Sequence, residues 1–396
     1  MIKWIKIRDF KSIRDMELEL GPVTVLVGRS GTGKSNLIQA IRFLRNLLLD
    51  FNEALAVEFG WERIVPVGES RPQTSIEVLF TIPGEEREYS YLLAFGNQTN
   101  QTFPGPVLLK QERLSLGNEV LFARSRQHSN QWTWETPPSV TPAPNVGHDV
   151  PMLGYFPSLQ HVVFANAALS TGIGYYHFPA TALSPMPGHP HGHNLQQKIP
   201  GLNDTAANYL WVMRGITQDF HQPNIRKSLL ASLKLINPSI SSIELDSLTN
   251  PGRAIVGHKV GNRIFELSLE QESDGLRRFY AHLLALYQAP AKLVLVFEEP
   301  ENAIFPGALS LLADEFKAAP RENRGQVIIT THNPIFLDSF DVDDVRVVEM
   351  RDGATVVGRV SKEQRQAVRD QLLTTGELLT VDRARLDDDP KAQQAA

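Results

Sequence analysis

An α/β fold with a mixed, mainly parallel core sheet is predicted by three observations. The apolar stretch Val23–Val27 runs into a glycine-rich turn at 28–33 and then into apolar residues at helical spacing. A second apolar stretch, Leu293–Phe297, ends in two carboxylates, Glu298 and Glu299. A third, Val327–Thr331, ends at His332. Strands that are apolar throughout are buried on both faces, and strands alternating with helices form parallel sheets.

The elements follow in order. Residues 2–8 alternate apolar and charged as a strand does, and Glu17–Leu20 is a further short strand. Asn36–Leu49 carries Leu37, Ile38, Ile41, Leu44 and Leu48 on one helical face. From Thr74 to about Trp134 the period becomes two. Ser75–Thr81, Glu88–Phe95, Val107–Leu114 and Glu119–Arg124 read as an antiparallel β insertion in the N-terminal lobe. Thr136–Pro157, rich in Pro, Ser and Thr, reads as an exposed loop. Tyr175 to about Leu248 is expected to be mostly helical, and Ile255–Leu269 returns to strand. Gly275–Ala289 and Ala303–Ala318 are predicted helices, and Val345–Glu349 and Ala354–Val360 are strands. The tail after Asp387 is expected to be disordered. Four regions result: an N-terminal lobe (1–160), a helical middle region (161–250), a C-terminal lobe (251–360) and a tail (361–396).

Bulk properties exclude several classes. Hydrophobic residues at 42% allow a large core, and a net charge of -5 gives no global case for nucleic-acid binding. With no cysteine, thiolate metal sites and cysteine nucleophiles are excluded. No run of 18 apolar residues predicts a membrane span, and the N-terminus lacks the apolar core of a signal peptide. The expected compartment is the cytoplasm.

Gly28-Arg29-Ser30-Gly31-Thr32-Gly33-Lys34-Ser35 has the spacing of a phosphate-binding loop, between the strand and helix such a loop needs. Glycines let backbone amides close around phosphates, and the helix N-terminus adds positive potential. Lys34 is expected to reach the β- and γ-phosphates of ATP, and Ser35 to ligate Mg2+. Two adjacent carboxylates are costly at a buried strand end unless a cation and a polyphosphate lie nearby. Glu298 is therefore assigned to the metal and Glu299 to the attacking water. His332 ends the next strand, at the sheet edge where ligands gather. Ser273-Asp274-Gly275 precedes a helix and suits an anion, although alone it reads as an N-cap.

Taken in order, Phe10-Lys11-Ser12, GRSGTGKS, SDGLRR, LVLVFEEPEN and TTHNP resemble an ABC-type ATPase of the RecF/SMC/OLD group over about residues 1–350. The resemblance implies a P-loop ABC-ATPase head that hydrolyses ATP with Mg2+ as a head-to-tail homodimer, or a higher oligomer, with ATP between the subunits. It makes Ser273 and Gly275 a signature motif acting on the opposite subunit's γ-phosphate. Glu299 becomes the base, His332 the switch histidine, Lys11 and Ser12 neighbours of the nucleotide, and Glu301, Asn302 and Ala303 a dimer-contacting loop. The sequence departs from common relatives at Glu298 (usually Asp), Ser30 (often Asn) and Phe305 (often His). Slow hydrolysis and a switch driven mainly by binding are both left open. Gln73 and Gln160 are the candidates for a Q-loop glutamine.

The chain is too short and proline-punctuated in its middle for SMC coiled coils, and the stretch after His332 is too short for a TOPRIM domain. It looks like a stand-alone OLD-like ATPase of the PtuA class. The expected function is a dimeric ATP switch or sensor controlling a separate effector, a nuclease, in prokaryotic anti-phage defence. The alternative is a RecF-like repair ATPase that clamps duplex DNA, which requires a basic stripe. Lys198, Arg214, Arg226, Lys227 and Lys234 are scattered cations that do not form one in the sequence. His189, His191 and His193 read as a surface loop in preference to a metal site.

Overall fold

A computed structural model describes residues 1–68, 73–97, 107–126, 132–135, 150–156, 158–179, 182–183, 201–218, 223–246 and 253–387. The predicted loop at 136–157 lies mostly outside these residues. His189, His191, His193, Lys198 and the tail beyond Asp387 lie wholly outside them.

Among the described residues the strands form three sheets. The seven-stranded sheet comprises β1 (Ile2–Phe10), β2 (Ile13–Glu19), β4 (Gln73–Phe80), β5 (Tyr89–Asn97), β6 (Val107–Leu116), β7 (Glu119–Arg126) and β8 (Trp132–Glu135), in the order β2-β1-β4-β5-β6-β7-β8. All its neighbours are antiparallel. Alternation explains it: Ile76, Val78 and Phe80 are buried on one face of β4 while the residues between them are partly exposed. The core sheet comprises β3 (Val23–Val27), β9 (Ile173–Tyr176), β13 (Val294–Glu298), β14 (Gln326–Thr330), β15 (Val345–Arg351) and β16 (Ala354–Arg359). Its order is β16-β15-β3-β14-β13-β9, with only β16 antiparallel. A small sheet joins β10 (Ile240–Asp246), β11 (Arg253–Val260) and β12 (Arg263–Ser268).

Helix α1 (Lys34–Leu49) lies between the two large sheets. Its Leu37, Ile41, Phe43 and Leu44 are fully buried in one core cluster with β1, β4 and β5, and Phe43 meets Phe95 at 5.7 Å between ring centroids. Short helix α2 (Phe51–Val57) follows, and α3 (Gln160–Leu169) packs on the same cluster. The second cluster joins the core sheet to α4 (Tyr209–Gln218), α5 (Pro223–Ile236), α6 (Asp274–Tyr287) and α7 (Leu309–Arg321), with Phe297 and Phe316 at 4.6 Å. Each fully buried Leu or Phe contributes about 1.5–3 kcal/mol, so both faces of the core sheet are firmly held.

The expectation of helix from Tyr175 to Leu248 holds for α4 and α5 and is corrected at both ends. Ile173–Tyr176 and Ile240–Asp246 are strands. Ile173–Tyr176 is buried at all four positions, and so short a two-sided strand leaves no period to read in the sequence.

Arg45, only 2% exposed, donates to both carboxylate oxygens of Asp204 at 2.9 and 3.1 Å, and Arg42 donates at 3.0 Å. Burial opposes the charge on Asp204, yet Arg45 and Arg42 hold its carboxyl below the usual range. Helix α1 is thereby pinned to the 201–208 segment.

Candidate active site

Parallel pairing brings Val27, Tyr176, Glu298 and Thr330 to one edge of the core sheet. The phosphate loop leaves β3 here. Gly33 caps α1 with φ of +99°, where a Cβ would lie 2.0 Å from Thr355 Oγ1 and 2.9 Å from Ser12 Oγ. At Gly28 a Cβ would lie 2.2 Å from the Val348 carbonyl oxygen. Glycine is therefore demanded by steric contact at both ends of the loop. Gly31 also has positive φ, at +80°, in open space. Thr355 Oγ1 donates to the Thr32 carbonyl at 3.0 Å and shares a 2.6 Å hydrogen bond with Ser12 Oγ, bracing the loop from beneath. Thr32 Oγ1 donates to the Arg29 carbonyl at 2.9 Å, while Arg29 and Ser30 are exposed at the tip.

Lys34 folds back over the loop and donates to the Gly28 and Arg29 carbonyls, both at 2.9 Å. Burial lowers its ammonium to about 8, with Glu299 acting in the opposite direction. A polyphosphate in the loop would offer Lys34 anionic acceptors in place of neutral ones. Ser35 Oγ donates to Glu298 Oε1 at 2.6 Å. A hydroxyl and a carboxylate in direct contact beside a phosphate loop are the oxygen donors that Mg2+ prefers, so these residues fit that ion. Among the described residues no group of three or more His, Asp or Glu side chains is placed to hold a metal ion, so the phosphates of a bound nucleotide would have to complete the ligand set here.

Glu299 follows β13 with φ of +45°, and its N–H donates to the Thr330 carbonyl at 3.1 Å. Asn302 Nδ2 donates to one of its carboxylate oxygens at 2.9 Å, and His332 Nε2 lies 3.7 Å from the other. The base proposed from sequence is thus held from two sides. Burial, and next the charge of Lys34, lower the His332 pKa below its ordinary value, with Glu299 opposing, which keeps the imidazole neutral at pH 7. Glu301, 7% exposed, accepts from Thr331 Oγ1 at 2.6 Å and from the His332 N–H at 3.1 Å. Burial raises its pKa.

Gly28–Thr32 and His332 line a cavity of about 570 Å³ together with Val348, Leu378 and Arg383, whereas Lys34, Ser35, Glu298 and Glu299 lie outside its lining. Ser273 and Gly275 are not part of it. Ser273 caps α6 by accepting from the Leu276 N–H at 3.3 Å, and with Gly275 it faces a second cavity of about 550 Å³ alongside Ala303 and Phe305. Ser12 lies against the loop, whereas Lys11 is turned into an ion pair with Glu58 and a hydrogen bond to Gln39, both at 2.7 Å. Gln73 and Gln160 line neither cavity.

Sequence reading passed over Tyr175 and His177. The Tyr175 hydroxyl donates to Glu298 Oε2 at 2.5 Å, and His177 Nδ1 lies 4.0 Å from the same oxygen. Burial and the Glu298 charge raise the Tyr175 pKa, so it stays a phenol donor. The available signal was a short apolar strand, Ile173–Tyr176, followed by a polar residue.

A family model described as "AAA domain, putative AbiEii toxin, Type IV TA system" matches residues 23–338. The chain is 42% identical over 65 residues to the DNA replication and repair protein RecF of Paenarthrobacter aurescens, covering 16% of each protein. It is 42% identical over 64 residues to the DNA repair protein RecN of Xylella fastidiosa, covering 16% of this chain and 11% of that one. The chain therefore spans less than a fifth of these relatives' length. An SMC head bound to the C-winged-helix domain of ScpA superposes with a TM-score of 0.53 at 14% identity, covering 92% of this chain and 99% of that one. The fold is that of an ABC-ATPase head.

Proposed function

The chain belongs to this AAA-domain family, and from that premise we propose that it binds and hydrolyses ATP with Mg2+ as a dimeric switch controlling a separate effector protein in anti-phage defence. The observation that carries the reading is the split site. The phosphate loop, Ser35–Glu298 and Glu299–His332 gather at one edge, while Ser273 and Gly275 sit on another surface beside Ala303 and Phe305. A second copy placed head to tail would bring its Ser273 loop to the γ-phosphate, and ATP would favour that closed state. Hydrolysis would reopen it, with Glu299 as the base and His332 beside the γ-phosphate.

The family description names a toxin of a toxin–antitoxin system, which supports control through a partner protein. A nuclease is the effector class proposed. The short match to RecF and RecN supports the alternative, a repair ATPase that clamps duplex DNA. Charge pairing weighs against it. Lys3, Lys6 and Arg8 on β1 pair with Glu88, Glu17 and Asp15, and Arg226 pairs with Glu244. Among the described residues no helix is long and apolar enough to cross a membrane.

Copurification of the tagged protein from native cells, with mass spectrometry and a DNA-binding titration, tests the choice. An enriched nuclease and weak DNA binding support the switch. Tight duplex binding that falls steeply with salt, with no protein partner, overturns it in favour of the clamp.

A further inference from the structure

The edge strand β9 ends beside the carboxylate that the cation needs. Its register with β13 pairs Val296 with Tyr175 and Phe297 with Tyr176, so the next residues, Glu298 and His177, are neighbours across the two strands. Side chains two apart share a face of the sheet, which directs both Tyr175 and His177 at Glu298. The two do different things there. Tyr175 is buried and donates its hydroxyl to Glu298 Oε2 at 2.5 Å, fixing the carboxylate. His177 is half exposed at its side chain, with Nδ1 4.0 Å from that oxygen, too far for a hydrogen bond. Its backbone is anchored by an N–H donated to the Asp204 carbonyl at 3.0 Å, and Asp204 is itself clamped by Arg42 and Arg45.

We propose that His177 is a nitrogen ligand of the divalent cation held by Ser35 and Glu298, so that the site proposed for Mg2+ also accepts a first-row transition-metal ion such as Mn2+ and holds it more tightly. Two donors on one octahedral ion with bonds of about 2.1 Å lie about 3.0 Å apart when cis and about 4.2 Å apart when trans. The spacing of 4.0 Å between His177 Nδ1 and Glu298 Oε2 is that of a near-trans pair, with the ion between them. Mg2+ demands oxygen donors and dehydrates reluctantly, whereas imidazole suits the transition metals. A third protein donor just past β9, its backbone tied to Asp204, also offsets what an off-pattern Glu298 loses in precision as a metal ligand.

This inference rests on the nucleotide-site reading, and the test separates the two. Full-length protein is loaded with Mn2+ and ATPγS, a nucleotide without a bridging nitrogen, and examined by pulsed electron paramagnetic resonance for ¹⁴N coupling to the metal. Wild type should show imidazole nitrogen coupling. His177→Ala should lose it, and His332→Ala should keep it. In calorimetry with nucleotide present, His177→Ala should weaken Mn2+ binding by about 10–100-fold and Mg2+ binding far less. The His177 side chain is half exposed, and an unchanged melting curve verifies that the variant folds. Bound Mn2+–ATPγS without nitrogen coupling in wild type, or coupling that survives in His177→Ala, overturns the proposal while leaving the nucleotide site intact. Failure to bind ATPγS with either metal sinks the nucleotide-site reading, and this inference with it.

Discussion

Lys34 and Glu299 carry the proposed chemistry, and each gives a prediction at its own atoms. Lys34 is held near 8, below the 10.5 of a free lysine. Because the native pKa is depressed, burial of the cation costs the empty protein stability below about pH 8, and that cost is relieved as pH rises from about 8 to 10.5. Bound triphosphate favours the ammonium, so binding above pH 8 takes up a proton. Calorimetry at pH 8.5 should give enthalpies that differ between buffers of different ionisation heat, and at pH 6.5 they should agree. Equal enthalpies at pH 8.5 would remove Lys34 from the phosphates. Lys34→Ala should abolish nucleotide binding altogether, and unchanged ATP affinity would refute the loop assignment. Glu299→Gln keeps the acceptor for Asn302 but not the base. It should bind ATP, accumulate as a dimer in light scattering and hydrolyse about 10²–10⁴ times more slowly. Hydrolysis at the parental rate would exclude Glu299.

Between elements, the loops after β13 and β14 are tied by one carboxyl. Glu301 Oε1 takes both the Thr331 hydroxyl and the His332 amide, and Oε2 has no partner among the described residues. Glu301→Gln preserves an oxygen acceptor, whereas Glu301→Ala strands two donors at about 1–3 kcal/mol. Thermal unfolding and turnover should show Gln near wild type and Ala impaired in both; equal behaviour of the two variants would deny the tie. The same level shows what was legible beforehand. Strands β3, β13 and β14 were plain because their apolar runs end in chemistry at a sheet edge. The strand at Ile173–Tyr176 was hidden because its four buried residues carry no period and its partner, β13, lies over a hundred residues further on. Lys11 was placed near nucleotide by resemblance. Its ion pair with Glu58 depends on a side chain in a turn that no local pattern announces.

For the whole molecule, the main fact is that Ser273 and Gly275 line a different cavity from Gly28–Thr32 and His332. On the proposed reading a single chain would supply half of each site, so occupancy and association would be coupled through the equilibrium between open and closed dimers. Ser273→Arg should leave monomeric ATP binding intact and abolish the ATP-dependent dimer in light scattering. A dimer that forms unchanged would place Ser273 outside the interface. The sequence made both halves visible as motifs but not their distance, because the fold of the lobe between them decides which surface each one faces.

Ser12 and Thr355 meet Gly33 beneath the phosphate loop, two of the three drawn from the start of the chain and one from near its far end. Their interlock ties their histories together. A larger residue at 33 is admissible only if 12 and 355 shrink, and loss of either hydroxyl unseats the other. Among descendants of a common ancestor these three positions should drift as a set, and a lineage that alters one alone should be one that has already given up the nucleotide.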